Sequence, residues 1–133
     1  MHHFRTLVVD DVDDFRRYLC TSLAQKTKCE VVGEASDGLQ AVAQAELLQP
    51  DLILLDLGLP TINGIEAARR IRKLSPNSKI LFVSQNCSRD IAQGALRTGA
   101  NGYLLKSDAT DLPTAVGAVL RGEQFVSSRV MPI

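Results

Sequence analysis

Five short apolar runs alternating with five segments of helical spacing predict an α/β fold, a doubly wound (βα)5 sandwich around a five-stranded parallel sheet. Pro50, Pro60 and Pro76 agree with that division, because each falls between two such segments, where a missing backbone N–H costs little.

The runs are Leu7-Val8-Val9, Val31-Val32, Leu52-Ile53-Leu54-Leu55, Ile80-Leu81-Phe82-Val83 and Tyr103-Leu104-Leu105. Continuous rather than alternating, they read as strands buried on both faces. The first helix is predicted from Phe15, Tyr18, Leu19 and Leu23, and the second from Leu39, Val42, Ala43 and Leu47. Ala67, Ala68, Ile71 and Leu74 define the third, Ile91 and Ala95 the fourth, and Leu112, Ala115, Val116, Val119 and Leu120 the fifth. Asn63 with Glu66 three residues on resembles a capping box, while Gly99 and Gly122 stand where C-terminal caps belong. Strict alternation implies right-handed crossovers and helices on both faces of the sheet.

With 133 residues, the chain fits one ordinary domain. The alternating elements occupy residues 1–121, and residues 122–133 read as a tail or the start of a linker to a further module. Fifteen basic residues balance fifteen acidic ones, so no global pull toward nucleic acid or anionic lipid is expected. The run Arg69-Arg70-Ile71-Arg72-Lys73 is accordingly read as the solvated face of the third helix. Cys20, Cys29 and Cys87 lack metal-type or redox-type spacing and are read as buried thiols in a reducing compartment. No apolar run approaches the roughly 20 residues that span a bilayer. Met1-His2-His3-Phe4-Arg5 has no signal-type apolar region behind it, so a cytoplasmic location is expected, and the two histidines receive no role.

The chemistry is carried by the strand ends. The first run stops at Asp10-Asp11, the third at Asp56, the fourth at Ser84 and the fifth at Lys106. In an open parallel sheet, ligands bind beyond the C-terminal strand ends, at the point where strand order reverses. For the flavodoxin-like order 2-1-3-4-5, that point lies between the first and third strands, the two that end in aspartate. Each residue alone has a bland reading, a cap for Asp10 or Asp11 and a solvated amine for Lys106. Their joint placement on one edge favours a site. For Asp13, Asp14, Asp37 and Asp108, near helix starts, the capping reading stands.

Three converging carboxylates repel one another unless a cation sits among them. Oxygen-only donors without histidine or thiolate nearby point to Mg2+. One carboxylate, Asp56, is then free to act as a nucleophile toward a phosphoryl group. The Lys106 charge and the Ser84 hydroxyl suit two phosphoryl oxygens, and phosphoryl transfer asks mainly for positioning and charge neutralisation.

Leu7-Val8-Val9-Asp10-Asp11, Asp51 to Pro60 followed by Asn63-Gly64, Val83-Ser84, and Gly102-Tyr103-Leu104-Leu105-Lys106 together resemble the receiver domain of two-component response regulators over nearly the whole chain. The resemblance implies that Asp56 takes its phosphoryl group from the phosphohistidine of a sensor histidine kinase. It also implies Mg2+ held by Asp11, Asp56 and the Gly58 backbone carbonyl, with Asp10 acting through bound water. Ser84 would move toward the phosphoryl group, Lys106 would pair with it, and Tyr103 would turn inward behind Ser84. The fourth helix, fifth strand and fifth helix would present an altered face for homodimerisation.

Lys106-Ser107-Asp108-Ala109 and the tail from Gly122 to Ser127 resemble the subfamily whose receiver precedes a C-terminal helix-turn-helix DNA-binding domain. DNA would be reached only through that output domain. Gln85 departs from the small residue usual after the switch hydroxyl, which bears on phosphoryl lifetime. Two other functions compete with this reading. A magnesium-dependent phosphatase lacks a second acid two residues after Asp56, where Gly58 stands. A phosphorylation-independent interaction module is the remaining alternative, and the complete acidic set argues against it.

Overall fold

The structure is a computed structural model and describes residues 3–133; Met1 and His2 lie outside the described residues. Six strands form one parallel sheet in the order β2-β1-β3-β4-β5-β6. They are β1 (Phe4–Val9), β2 (Cys29–Ala35), β3 (Leu52–Leu55), β4 (Lys79–Ser84), β5 (Gly102–Leu105) and β6 (Phe125–Val126). The helices are α1 (Asp13–Lys26), α2 (Gly38–Leu48), α3 (Gly64–Leu74), α4 (Arg89–Leu96) and α5 (Leu112–Leu120). The α/β class and the order 2-1-3-4-5 hold, with one strand more than the five expected.

Period-two alternation along the central strands divides the core in two. Leu7, Val9, Ile53, Leu55, Phe82 and Tyr103 face α2, α3 and α4. Val8, Leu52, Leu54, Leu81, Val83 and Leu104 face α1 and α5. Every one of these strand residues is at most 1% exposed, which explains why the strands read as unbroken apolar runs.

The extra strand comes from the segment read as a tail. Phe125 and Val126 pair with Gly102 and Tyr103. Ser127 then accepts a hydrogen bond from Leu105 N on its Oγ (2.9 Å) and donates its own N–H to Tyr103 O (2.9 Å). Val130 is fully buried in the half of the core that faces α2, α3 and α4. Two residues are too few to display a period, and this hid the strand in the sequence.

The face of α2 also differs from expectation. Ala41 and Ala45 are buried, whereas Leu39 and Leu47 are 49% and 77% exposed. Small side chains allow α2 to approach the sheet closely, so Leu39 and Leu47 fall on the outer face. Leu74 of α3 is likewise 39% exposed. Asp37 caps α2 by accepting from Gln40 N (2.8 Å), and Asn63 caps α3 by accepting from Glu66 N (2.9 Å). Asp13 and Asp14 lie in the first turn of α1, but its N-cap is Val12. Gly99 and Gly122 adopt φ of +98° and +86°, the left-handed conformation expected after helix ends. Arg69, Arg70 and Lys73 are exposed around buried Ile71, as expected of a solvated helix face. Of the cysteines, only Cys29 is buried; Cys20 is half-buried and Cys87 exposed, because the β4–α4 loop that carries Cys87 lies at the surface. Among the described residues, no helix is long and apolar enough to cross a membrane.

Candidate functional site

Parallel strands set side by side bring their C-terminal ends to one edge. Asp10 follows β1, with its N–H bonded to Ala35 O (3.1 Å), and Asp56 follows β3, with its N–H bonded to Val9 O (3.2 Å). The backbone ladder therefore continues into the acids themselves. Carboxylate oxygens of Asp10, Asp11 and Asp56 lie within 4.8 Å of one another. Asp10 and Asp56 are buried and Asp11 is exposed.

Each buried carboxylate is oriented by its own loop. Asp10 Oδ1 accepts from Val12 N (2.9 Å) in an Asx turn, and Asp56 Oδ1 accepts from Leu57 N (2.8 Å). The other oxygens face Lys106, at the end of β5: its Nζ is 2.8 Å from Asp10 Oδ2 and 3.1 Å from Asp56 Oδ2. The contact with Asp10 is an ion pair, and Asp10 Oδ2 has no well-aligned hydrogen-bond donor. Burial pushes the Asp56 carboxyl above its ordinary pKa, reinforced by the Asp10 charge and opposed by Lys106. Burial also works against the Lys106 ammonium, but pairing with Asp10 and the charge of Asp56 outweigh it and raise its pKa.

Gly64 permits the tight β3–α3 connection. A Cβ there would lie 2.1 Å from Asp56 O, and the Gly64 N–H bonds Leu57 O (2.8 Å). Thr61 in the same loop has φ of +65°, a strained conformation for a β-branched residue. Its hydroxyl donates to Asp37 Oδ1 (3.1 Å) and accepts from Leu39 N (3.0 Å), which holds it there.

On the opposite side, Ser84 Oγ accepts from Asn86 N (3.1 Å), and the fully buried Tyr103 ring sends its hydroxyl to Asn86 O (2.6 Å). Burial raises the Tyr103 phenol above its ordinary pKa, against a smaller opposing effect of the Ser84 hydroxyl. An open cleft of about 800 Å3 runs over Asp56, Gly58, Ser84, Gln85 and Lys106. All the residues expected at a site thus meet at one edge, apart from Tyr103, which stands behind Ser84.

Three contributors carried no sequence signal as site residues. Asn86 joins Ser84 to Tyr103. Arg16 donates to Asp10 O (2.8 Å) while paired with Asp13 and Glu34 at 2.9 Å each. Phe15 presents its ring to Lys106 Nζ, 4.6 Å from the centroid.

Comparison with known proteins decides what kind of edge this is, since residues 6–117 match the response regulator receiver domain. The chain belongs to that family. Receiver domains are signalling switches of two-component systems rather than conventional enzymes, and they use Mg2+ at an acidic pocket of this kind. Among curated relatives, the chain is 37% identical over 125 residues to the transcriptional regulatory protein DegU of Brevibacillus brevis, covering 93% of this chain and 53% of that protein. It is 37% identical over 128 residues to the nitrate/nitrite response regulator protein NarL of Escherichia coli K12, covering 96% and 59%. The chain therefore spans a little over half the length of these relatives. A solved two-component response regulator of the LuxR family from Aurantimonas sp. SI85-9A1 superposes with a TM-score of 0.91 at 32% identity, covering 97% of this chain and 93% of that one. These names agree with the subfamily resemblance carried by Lys106-Ser107-Asp108-Ala109 and the tail.

Proposed function

We propose that this receiver domain accepts a phosphoryl group on Asp56 from the phosphohistidine of a sensor histidine kinase, with Mg2+ at the acidic edge. The observation that carries the reading is the convergence of Asp10, Asp11 and Asp56 within 4.8 Å, with Lys106 bridging Asp10 and Asp56. The donor set fits the ion: all oxygens, one of them the buried and poorly satisfied Asp10 Oδ2. Asp10, Asp11, Asp56 and the Gly58 carbonyl would hold it. When bound, the ion neutralises the acids and supplies charge to transferring phosphoryl oxygens.

The remaining steps belong to the protein. An Asp56 carboxylate oxygen attacks phosphorus as the P–N bond to the donor histidine breaks, and the imidazole takes the departing electron pair. Lys106 leaves its acid pair to neutralise a phosphoryl oxygen, while the Ser84 hydroxyl donates to another. Such donation would release Asn86 N from Ser84 Oγ. Tyr103, bonded to Asn86 O, would pass the change to β5 and the flanking α4 and α5, a bistable face suited to homodimerisation. Transcription would then be controlled through a helix-turn-helix output domain, in the cytoplasm. Gln85, exposed beside Ser84 at the cleft, would set access to the acyl phosphate and hence its lifetime.

Incubation with Mg2+ and acetyl phosphate, read by intact mass, tests the reading. The expected result is one added phosphoryl group that is lost with Asp56→Ala. No addition, or addition that survives Asp56→Ala, would sink it. A beryllofluoride titration followed by NMR separates a blocked donor from an inert site.

A further inference from the structure

Lys106 is half-buried between two acids, and a third neighbour touches its ammonium. The Phe15 ring lies with its centroid 4.6 Å from Nζ, well inside the distance at which a cation is attracted to an aromatic face. That attraction is strongest where water is excluded, and the Lys106 side chain is only 16% exposed.

Phe15 continues the core face of α1, one turn before Leu19 and two before Leu23, both buried against the sheet. At the first turn of α1, that same face projects past the sheet end and over Lys106. The ring is held there by the core cluster beneath it and by Tyr18, whose ring centroid is 5.7 Å away. The turn that supplies Asp10 and Asp11 therefore leads directly into the residue that backs the lysine.

The acids cannot fix Lys106 throughout a phosphorylation cycle. A cation among them competes for Asp10 and Asp56 oxygens, and a phosphoryl group on Asp56 moves the negative charge. Phe15 is neutral and changes with neither event. Resting on the phosphoacceptor reading, we infer that Phe15 is a positioning residue for this reaction, a π platform that keeps the Lys106 ammonium at the site rim while its acidic partners change charge.

The platform predicts a difference between two variants of similar fit. Phe15→Leu fills the core but removes the ring face, whereas Phe15→Tyr keeps it. With saturating Mg2+ and acetyl phosphate, Phe15→Leu should be phosphorylated roughly three- to fivefold more slowly than wild type, and Phe15→Tyr within about twofold of it. A second readout needs no turnover. In protein labelled at lysine, the Lys106 Hε protons should be shifted upfield by the ring in wild type and Phe15→Tyr, and should return toward the other lysines in Phe15→Leu. Wild-type phosphorylation rates in Phe15→Leu, equal slowing in both variants, or an unshifted wild-type Lys106 resonance would each overturn the inference. Wild-type protein that accepts no phosphoryl group would instead sink the phosphoacceptor reading, and the resonance shift would still report the contact.

Discussion

The Lys106 ammonium lies 3.1 Å from Asp56 Oδ2, so the lysine that follows β5 is paired directly with the carboxylate proposed to accept the phosphoryl group. Its second contact, 2.8 Å to Asp10 Oδ2, makes one lysine the counter-ion of two buried acids. Removing it leaves two uncompensated carboxylates. Lys106→Ala should therefore lose about 2 kcal/mol of stability in metal-free buffer, and saturating Mg2+ should restore most of that loss by supplying the missing charge. Urea melts with EDTA and with Mg2+ measure both. Equal losses in the two buffers would contradict a shared role for lysine and metal.

Asp56 has its folded pKa raised, chiefly by burial, above that of an unfolded aspartate near 3.9. Between the unfolded and folded values the native state binds more protons than the unfolded chain, so stability falls as pH rises through that window. At neutral pH the ionised Asp56 is thus a burden on the fold. Asp56→Asn should be more stable than wild type by on the order of 1 kcal/mol at pH 7. The advantage should shrink as pH falls through the folded pKa of Asp56, because protonation neutralises the wild-type side chain as well. Thermal melts of both proteins across pH 4 to 8, roughly the window around a carboxylate pKa, follow this directly.

Much of this site was legible because strand ends are marked by a change from apolar to charged residues. Asp10, Asp56 and Lys106 each follow an unbroken apolar run, and parallel topology then forces them together. What stayed hidden depends on space rather than pattern. Ala41 and Ala45 carry the buried face of α2 because small residues permit close approach, although Leu39 and Leu47 give the stronger apolar signal. Phe125 and Val126 gain strand status only from the free edge of β5. Phe15 shows helical spacing, yet nothing in that spacing reveals the lysine more than ninety residues later in the chain.

Gly64 is the clearest case of a spatial requirement. Its φ is outside the left-handed region, so conformational freedom does not explain it. A Cβ would meet Asp56 O at 2.1 Å and Leu57 Cα at 2.8 Å, both backbone atoms that cannot swing aside. Gly64→Ala should cost about 3 kcal/mol and displace Asp56, slowing phosphorylation even where the variant remains folded. Denaturant midpoints together with acetyl phosphate kinetics test this. A neutral substitution would mean that the β3–α3 loop yields easily.

The C-terminal segment offers a final test, because one of its anchors is a buried hydroxyl. Ser127 is 3% exposed, and its Oγ is the acceptor for Leu105 N, the residue just before Lys106. Ser127→Ala leaves that buried N–H without a partner, which costs about 1–2 kcal/mol. The cost should be local as well as global, since β6 contributes only two paired residues, Phe125 and Val126. Hydrogen exchange should therefore accelerate at Leu105 and Ser127 by roughly tenfold, while amides of β1 and β3 slow or quicken only with global stability. Unchanged exchange at Leu105 would show that this segment is held by Val130, Arg129 and the sheet pairing rather than by the Ser127 hydroxyl.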